Sequence, residues 1–110
     1  MGARRILVAN ELASYRQTIA LVIRDLHPDV EVFEAGSEVL DREVLRLGPD
    51  LVICSRVTCT VRHRVANWVE LYPEYKPYST FCVGGERRTL EDVQLSDILS
   101  LCASPPRRAP

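Results

Sequence analysis

Four side chains with nucleophilic or metal-ligating groups lie in one short stretch: Cys54, Ser55, Cys59 and His63. A hydroxyl or thiol beside a base can act as a nucleophile, and thiolates with an imidazole can bind a metal. The spacing Cys-x4-Cys-x3-His is not a recognised ligand pattern, so we predict no metal site. We interpret the cysteines as small buried hydrophobic residues of a reduced, cytoplasmic protein. The alternative is a small cysteine- or serine-dependent enzyme or redox protein.

Three arginines flank the same stretch: Arg56, Arg62 and Arg64. They could form a small anion or partner site, but a solvated basic face is the simpler interpretation and the one we favour. The formal net charge is −1, so no overall field draws the chain to nucleic acid or to a membrane. The pair Arg107 and Arg108 is thin support for a third hypothesis, a nucleic-acid accessory protein.

Aromatic side chains gather around residues 73–77, a segment with two prolines: Trp68, Tyr72, Tyr75 and Tyr78. Packing in the core and over a turn explains most of them. An exposed aromatic cluster would instead favour a binding site for a protein partner. The sequence leaves both interpretations open.

The apolar run at residues 51–55 reads Leu-Val-Ile-Cys-Ser and lacks the alternation of a strand with one exposed face. Strands that are covered on both faces show such runs, so we predict the central strand of a parallel sheet here. Functional groups of open α/β sheets lie at the carboxyl ends of the strands. Ser55 and Arg56 therefore stand where a functional site is expected.

Strands and helices are predicted to alternate along the rest of the chain. The predicted strands are residues 5–9, 30–35, 68–72, 78–83 and 86–90, and the predicted helices are residues 12–26, 38–47, 58–66 and 95–102. Asn10 or Ser14 would cap the first helix and Ser96 the last. Gly84-Gly85 would form a two-residue hairpin turn.

Two of these strands carry motifs that resemble a known family. Arg-Ile-Leu-Val-Ala-Asn-Glu at residues 5–11 and Pro-Asp-Leu-Val-Ile-Cys-Ser at residues 49–55 are similar to the first and third strands of receiver domains of two-component response regulators. The resemblance covers about residues 4–66, somewhat over half of the chain. It implies the receiver fold and a site at the carboxyl ends of these two strands.

The residues on which receiver chemistry depends have changed. Receivers hold Mg²⁺ with two acidic residues after the first strand, where Asn10 and Glu11 stand here. They phosphorylate an aspartate at the position of Ser55. The family's lysine at the end of the fifth strand has no counterpart, because Lys76 is the only lysine and lies in the proline-rich segment. The resemblance therefore implies a degenerate receiver without aspartyl-phosphate chemistry.

The predicted architecture is a single α/β domain over residues 1–102 with a flavodoxin-like, receiver-like open sheet of parallel strand order 2-1-3-4. Residues 73–77 are too few for a crossover helix, so one or two antiparallel hairpin strands should follow. A C-terminal helix would close the domain, and residues 103–110 would form a disordered tail. No run reaches transmembrane length, so we expect no membrane partner.

The expected function is that of a stand-alone, phosphorylation-independent receiver-like signalling or regulatory module. It would act by protein–protein interaction, with a protein partner that the sequence does not identify or with a second copy of itself. We expect no catalytic residues and no cofactor, and we do not expect nucleic acid as a partner.

Overall fold

Six strands form one mixed sheet in the computed structural model, which describes residues 4–72 and 76–103. They are β1 (Arg5–Ala9), β2 (Glu31–Glu34), β3 (Leu51–Cys54), β4 (Asn67–Glu70), β5 (Tyr78–Val83) and β6 (Glu86–Glu91). The strand order is β2-β1-β3-β4-β5-β6. The pairs among the first four are parallel, whereas β5 is antiparallel to β4 and β6 to β5. An α/β fold with antiparallel strands added to a parallel sheet is therefore confirmed.

Four helices connect or follow these strands: α1 (Ala13–Leu26), α2 (Leu40–Leu47), α3 (Cys59–Arg64) and α4 (Leu95–Ala103). A short 3-10 helix, Ser37–Val39, leads into α2. Within residues 4–72 and 76–103, no helix is both long and apolar enough to cross a membrane.

The sheet separates two hydrophobic clusters. On one side, which we call the α1/α4 face, sheet residues such as Ile6 and Ile53 pack with Ile19, Ile23, Ile98 and Cys102. On the opposite α2/α3 face, sheet residues such as Leu7 and Val52 pack with Leu40, Val44, Leu47 and Val61. All four residues of β3 are buried, as predicted for a central strand with helices on both faces.

Helix α1 differs from its prediction at its start. Leu12 is the N-cap residue and makes no side-chain cap bond, so neither Asn10 nor Ser14 serves as the cap. Asn10 is instead buried at the end of β1, and Ser14 lies in the first turn, where its carbonyl accepts a hydrogen bond from the Thr18 hydroxyl. Leu26, at the other end, is exposed.

Helix α4 begins without the predicted serine cap. Ser96 lies inside the helix, and a reciprocal pair of bonds closes the first turn instead. Asp97 Oδ2 accepts from the backbone N–H of Gln94 at 2.8 Å, and the Asp97 N–H donates to the Gln94 carbonyl. Ala103, assigned to the tail from the sequence, is the last residue of the helix. The rest of the predicted tail, residues 104–110, lies outside the described residues.

Helix α3 and strand β4 are both shorter than predicted. Thr58 caps α3 by accepting a hydrogen bond from the Val61 N–H, and the helix ends at Arg64 because Val65 adopts an extended backbone. A β-branched residue such as Val65 favours that conformation. Strand β4 ends at Glu70, two residues before the predicted end, and Tyr72 turns the chain with a φ of 43°.

Candidate functional site

The carboxyl ends of β1, β3 and β4 adjoin at one edge of the sheet. Ala9 of β1 lies opposite Cys54 of β3, and Cys54 lies opposite Glu70 of β4. The residues that follow these strand ends are therefore brought together. We define the carboxyl-edge cluster as Asn10, Glu11, Ser55, Arg56 and Glu70.

Ser55 and Glu11 are joined directly. The Ser55 Oγ accepts a hydrogen bond from the backbone N–H of Glu11 at 2.9 Å, while the Glu11 side chain is exposed. This bond links the loop after β1 to the loop after β3. Among the described residues, no hydrogen bond joins Ser55 to His63, whose Nδ1 lies 2.8 Å from the carbonyl of Cys59 on its own helix. The hydroxyl of Ser55 thus acts as a structural acceptor.

Asn10 is buried at the end of β1, with only 1% of its surface exposed. Its Oδ1 is the one buried side-chain nitrogen or oxygen atom among the described residues that has no hydrogen-bond partner. Its backbone carbonyl accepts a hydrogen bond from Arg16 Nη1 at 3.0 Å. A neutral, enclosed amide at this position offers no carboxylate oxygen to a divalent cation, which prefers charged oxygen ligands.

Glu70 is the member of the cluster that the sequence interpretation did not find. Its Oε2 accepts a hydrogen bond from the backbone N–H of Val57 at 2.8 Å and so fixes the loop between β3 and α3. The strand was predicted to continue to Tyr72, which placed the glutamate inside it rather than at its end. The signal in the sequence is the acidic residue at the end of Asn-Trp-Val-Glu, because a charged residue after an apolar pair can mark the end of a buried strand.

Cys54 is enclosed beneath the cluster. The pKa of its thiol is raised to about 12; burial is the largest cause, the Glu70 carboxylate adds to it, and a backbone hydrogen bond from Arg56 opposes it. The thiol donates weakly to the Val69 carbonyl at 3.7 Å. Cys59, by contrast, is exposed at the start of α3. The interpretation of Cys59 as a buried residue is therefore wrong, and the two cysteines of the alternative enzyme hypothesis lie in different surroundings.

The three candidate arginines are exposed. Arg56 directly follows Ser55 and belongs to the cluster. Arg62 and Arg64 lie in the last turn of α3, which leads away from the carboxyl edge toward the start of β4. Of the three, only Arg56 is placed beside Ser55 by the chain itself.

The predicted aromatic site does not form one surface. Trp68 is buried on the α2/α3 face, where the Arg87 guanidinium lies 5.7 Å from the centre of its ring. Tyr72 packs instead against the α1/α4 face, and its hydroxyl donates to the Val93 carbonyl at 3.2 Å. Tyr78 lies 5.9 Å beneath the Lys76 ammonium. Tyr75 lies outside the described residues.

The carboxyl-edge cluster lies where strand-end sites are found, but it contains few side chains that could bind a metal ion or act as nucleophiles. Among residues 4–72 and 76–103, no group of three or more His, Cys, Asp or Glu side chains is placed to hold a metal ion. Comparison with known protein families, curated proteins and solved structures finds no match to this chain. The carboxyl-edge cluster and the two strand motifs are therefore the features of this chain that bear on function.

Proposed function

We propose that this protein is a stand-alone receiver-like module that works without phosphorylation and acts through contacts with another protein. The proposal includes a flavodoxin-like classification for the part of the sheet formed by β2, β1, β3 and β4. Its support is the parallel order of these strands, the helices between them, and the two strand motifs at residues 5–11 and 49–55. A fold by itself does not define activity, so the proposed function has to be argued from the residues of the site.

The main observation in favour of a module that works without phosphorylation is the hydrogen bond from the Glu11 N–H to the Ser55 hydroxyl. Ser55 stands at the position at which receivers carry their phosphoaccepting aspartate. Here a neutral hydroxyl fills that position and ties two loops together. A serine needs an adjacent base to become a nucleophile, and among the described residues no carboxylate or imidazole is hydrogen-bonded to the Ser55 Oγ.

The other two parts of receiver chemistry are also weakened. Asn10 replaces one acidic residue with a buried amide, which leaves Glu11 as the only carboxylate of the pair. Lys76 is placed over the Tyr78 ring rather than at the end of a parallel strand. Phosphoryl transfer requires a held metal and a cation that stabilises the developing charge. We infer that all three requirements fail together.

Treatment with a small-molecule phosphodonor and Mg²⁺, followed by intact-mass measurement, tests the proposal. The native chain should gain no mass, and Ser55→Asp should gain none either, because the second acid and the lysine are still missing. Ser55→Ala is the matched control, since it removes the only hydroxyl in the cluster. Stable phosphorylation of the native chain that Ser55→Ala abolishes would contradict the proposal.

Phosphorylation of Ser55→Asp alone would have a narrower meaning. It would show that Glu11 suffices to hold the metal and that the effect of Asn10 is smaller than we infer. The native protein would still be silent in that case, because its serine has no negative charge to offer the metal.

A further inference from the structure

Strand β6 is an edge of the sheet whose outward backbone groups can be identified from the hairpin that precedes it. Gly84 and Gly85 have φ values of 60° and 90°, as in a two-residue type I′ turn. Such a turn bonds the Glu86 N–H to the Val83 carbonyl, so alternate residues from Glu86 onward bond to β5. Arg87, Thr89 and Glu91 are the residues between these, and their N–H and C=O groups point away from the sheet.

The opposite edge of the sheet is blocked by a side chain, whereas no side chain of the described residues blocks β6 in this way. At β2, the Arg24 Nη2 donates to the Val32 carbonyl at 2.9 Å, and its Nη1 bonds the Glu34 carboxylate at 2.9 Å. A side chain that occupies an edge carbonyl in this way prevents further strand pairing. Within the described residues, no side chain forms a hydrogen bond to the backbone of β6.

Strand β6 is held in place at its turn. The buried Asn67 amide accepts a hydrogen bond from the Gly84 N–H at 3.0 Å and donates to the Asp50 carbonyl at 3.2 Å. The turn is thereby tied to the loop that enters the central strand. At the other end, Asp92 has a φ of 50°, which ends the strand. A strand that is tied at its turn and paired with β5 along its length loses little conformational freedom when it pairs again.

We propose that β6 pairs antiparallel with β6 of a second copy of this chain, about a two-fold axis at Thr89. Outward-pointing residues must face outward-pointing residues in an antiparallel pair, so a two-fold axis has to pass through one residue of the strand. An axis at Arg87 or Arg88 would set an arginine against its own copy, which is unfavourable. An axis at Leu90 would shift the pairing onto Asp92, where the strand has ended.

An axis at Thr89 pairs the outward backbone groups of both strands and places opposite charges across from each other. Arg87 of each copy then faces Glu91 of the other, Thr89 faces Thr89, and every outward N–H and C=O from residue 87 to residue 91 is paired. Opposite charges directly across a sheet are favourable. Both residues are exposed, so the pairs form at the surface, and the Arg87 guanidinium turns from Trp68 toward the incoming carboxylate.

The association should be reversible and dependent on concentration. Stable interfaces bury roughly 1,200 Å² or more, and one pair of short strands buries less. The proposal does not rest on the receiver-like function, because it uses only the register and charges of β6. It identifies one partner, a second copy of this chain, and one surface, the β6 edge of the sheet.

Sedimentation equilibrium over a concentration series tests the pairing with charge exchanges. The native chain should associate, and Arg87→Glu or Glu91→Arg should each weaken dimerisation by about tenfold or more, because each places like charges together at two symmetric positions. An equimolar mixture of the two variants should regain native association as a heterodimer. The double variant Arg87→Glu/Glu91→Arg should regain it as a homodimer.

Arg88→Glu is the matched control, because it makes the same change of charge one residue away. Arg88 faces Leu90 in the proposed register, so this variant should dimerise within about threefold of the native chain. Thr89→Pro should abolish dimerisation and leave the hairpin folded, because the Thr89 N–H points outward. Circular dichroism checks the fold of each variant.

Several results would overturn the proposal. One is a native chain that stays monomeric up to millimolar concentration. Another is an equal loss of dimerisation in Arg87→Glu and Arg88→Glu, which would show that net charge, and not the pairing of residue 87, controls association. If the mixture of Arg87→Glu and Glu91→Arg fails to associate, the proposed register is excluded. If Thr89→Pro is folded and still dimeric, the β6 edge is excluded as the interface.

Discussion

At the scale of single residues, Cys54 and Cys59 illustrate how position controls a thiol. Cys54 is fully buried with a pKa of about 12, and burial raises the pKa of Cys102 to about 12 as well. Cys59 is exposed at the start of α3. Thiol reactions proceed through the thiolate. The surroundings of Cys54 therefore disfavour its thiolate and, with it, a nucleophilic role for this one residue.

Alkylation of the native protein at pH 8 should modify Cys59 rapidly and leave Cys54 and Cys102 unmodified until the protein unfolds. The reason is that burial both blocks the reagent and disfavours the thiolate in the two enclosed residues. Peptide mass mapping over time gives the order of labelling, and Cys59→Ser serves as the control that removes the fast phase. Fast labelling of Cys54 in folded protein would contradict its enclosure and favour the enzyme alternative.

The residues of the candidate site were only partly predictable. Asn10, Glu11 and Ser55 were placed correctly at strand ends because an apolar run and its first polar residue mark where a buried strand stops. Glu70 was missed because Leu71 continues the apolar pattern and hides the end of β4. The unpartnered Oδ1 of Asn10 could not be foreseen, since satisfaction of a buried amide depends on the whole surrounding structure.

At the scale of elements, Thr58 holds two helices in place. Its Oγ1 accepts from the Val61 N–H at 3.2 Å, which caps α3, and donates to Asp41 Oδ1 of α2 at 2.6 Å. A six-residue helix has little stability of its own, so its cap and its contacts with neighbours matter more than in a long helix.

Thr58→Ala should lower the free energy of unfolding by about 1–2 kcal/mol, because both hydrogen bonds are lost and one of them is the cap. Urea unfolding measures the change. Thr58→Ser should keep most of the stability. Thr60→Ala, two residues along in the same helix, is the control and should be near neutral, since alanine is the better helix former. An effect of Thr58→Ala no larger than that of Thr60→Ala would show that the cap is dispensable.

The existence of each element followed from the sequence more reliably than its ends did. Apolar patterns predicted the four α-helices and the strands up to β5, because burial on one or two faces imposes those patterns, and the Gly84-Gly85 turn signal predicted β6. The caps were wrong where two polar residues competed. At α4, Ser96 lies inside the helix, and Asp97 reaches back to the N–H of Gln94, just before the helix, and so closes the first turn from within.

At the scale of the whole molecule, the fold comprises a sheet with a hydrophobic cluster on each side, and α4 completes the α1/α4 face through Ile98 and Cys102. Residues 104–110 follow directly and contain three of the seven prolines. Their composition offers almost no apolar surface to bury. The predicted disordered tail stays a prediction, now with its boundary after Ala103.

Truncation after Ala103 should leave the melting temperature within about 2 °C of the full chain, because a tail without buried contacts adds little to stability. Thermal unfolding followed by circular dichroism provides the measurement. Truncation after Leu101 is the matched control, and it should lower the melting temperature clearly because it removes the buried Cys102. A drop of several degrees from the first truncation would mean that the tail packs on the domain.

The change of strand direction at β5 has a consequence for chain entropy. Each parallel pair in this sheet requires the chain to run back along the whole sheet through a helix before the next strand begins, and closing such long loops restricts the chain. The pair β5–β6 closes through Gly84-Gly85 alone. The sheet is thus widened by two strands with only one tight turn between them. Because the last two strands need no crossover helix between them, 110 residues suffice for six strands and for helices on both faces of the central strands.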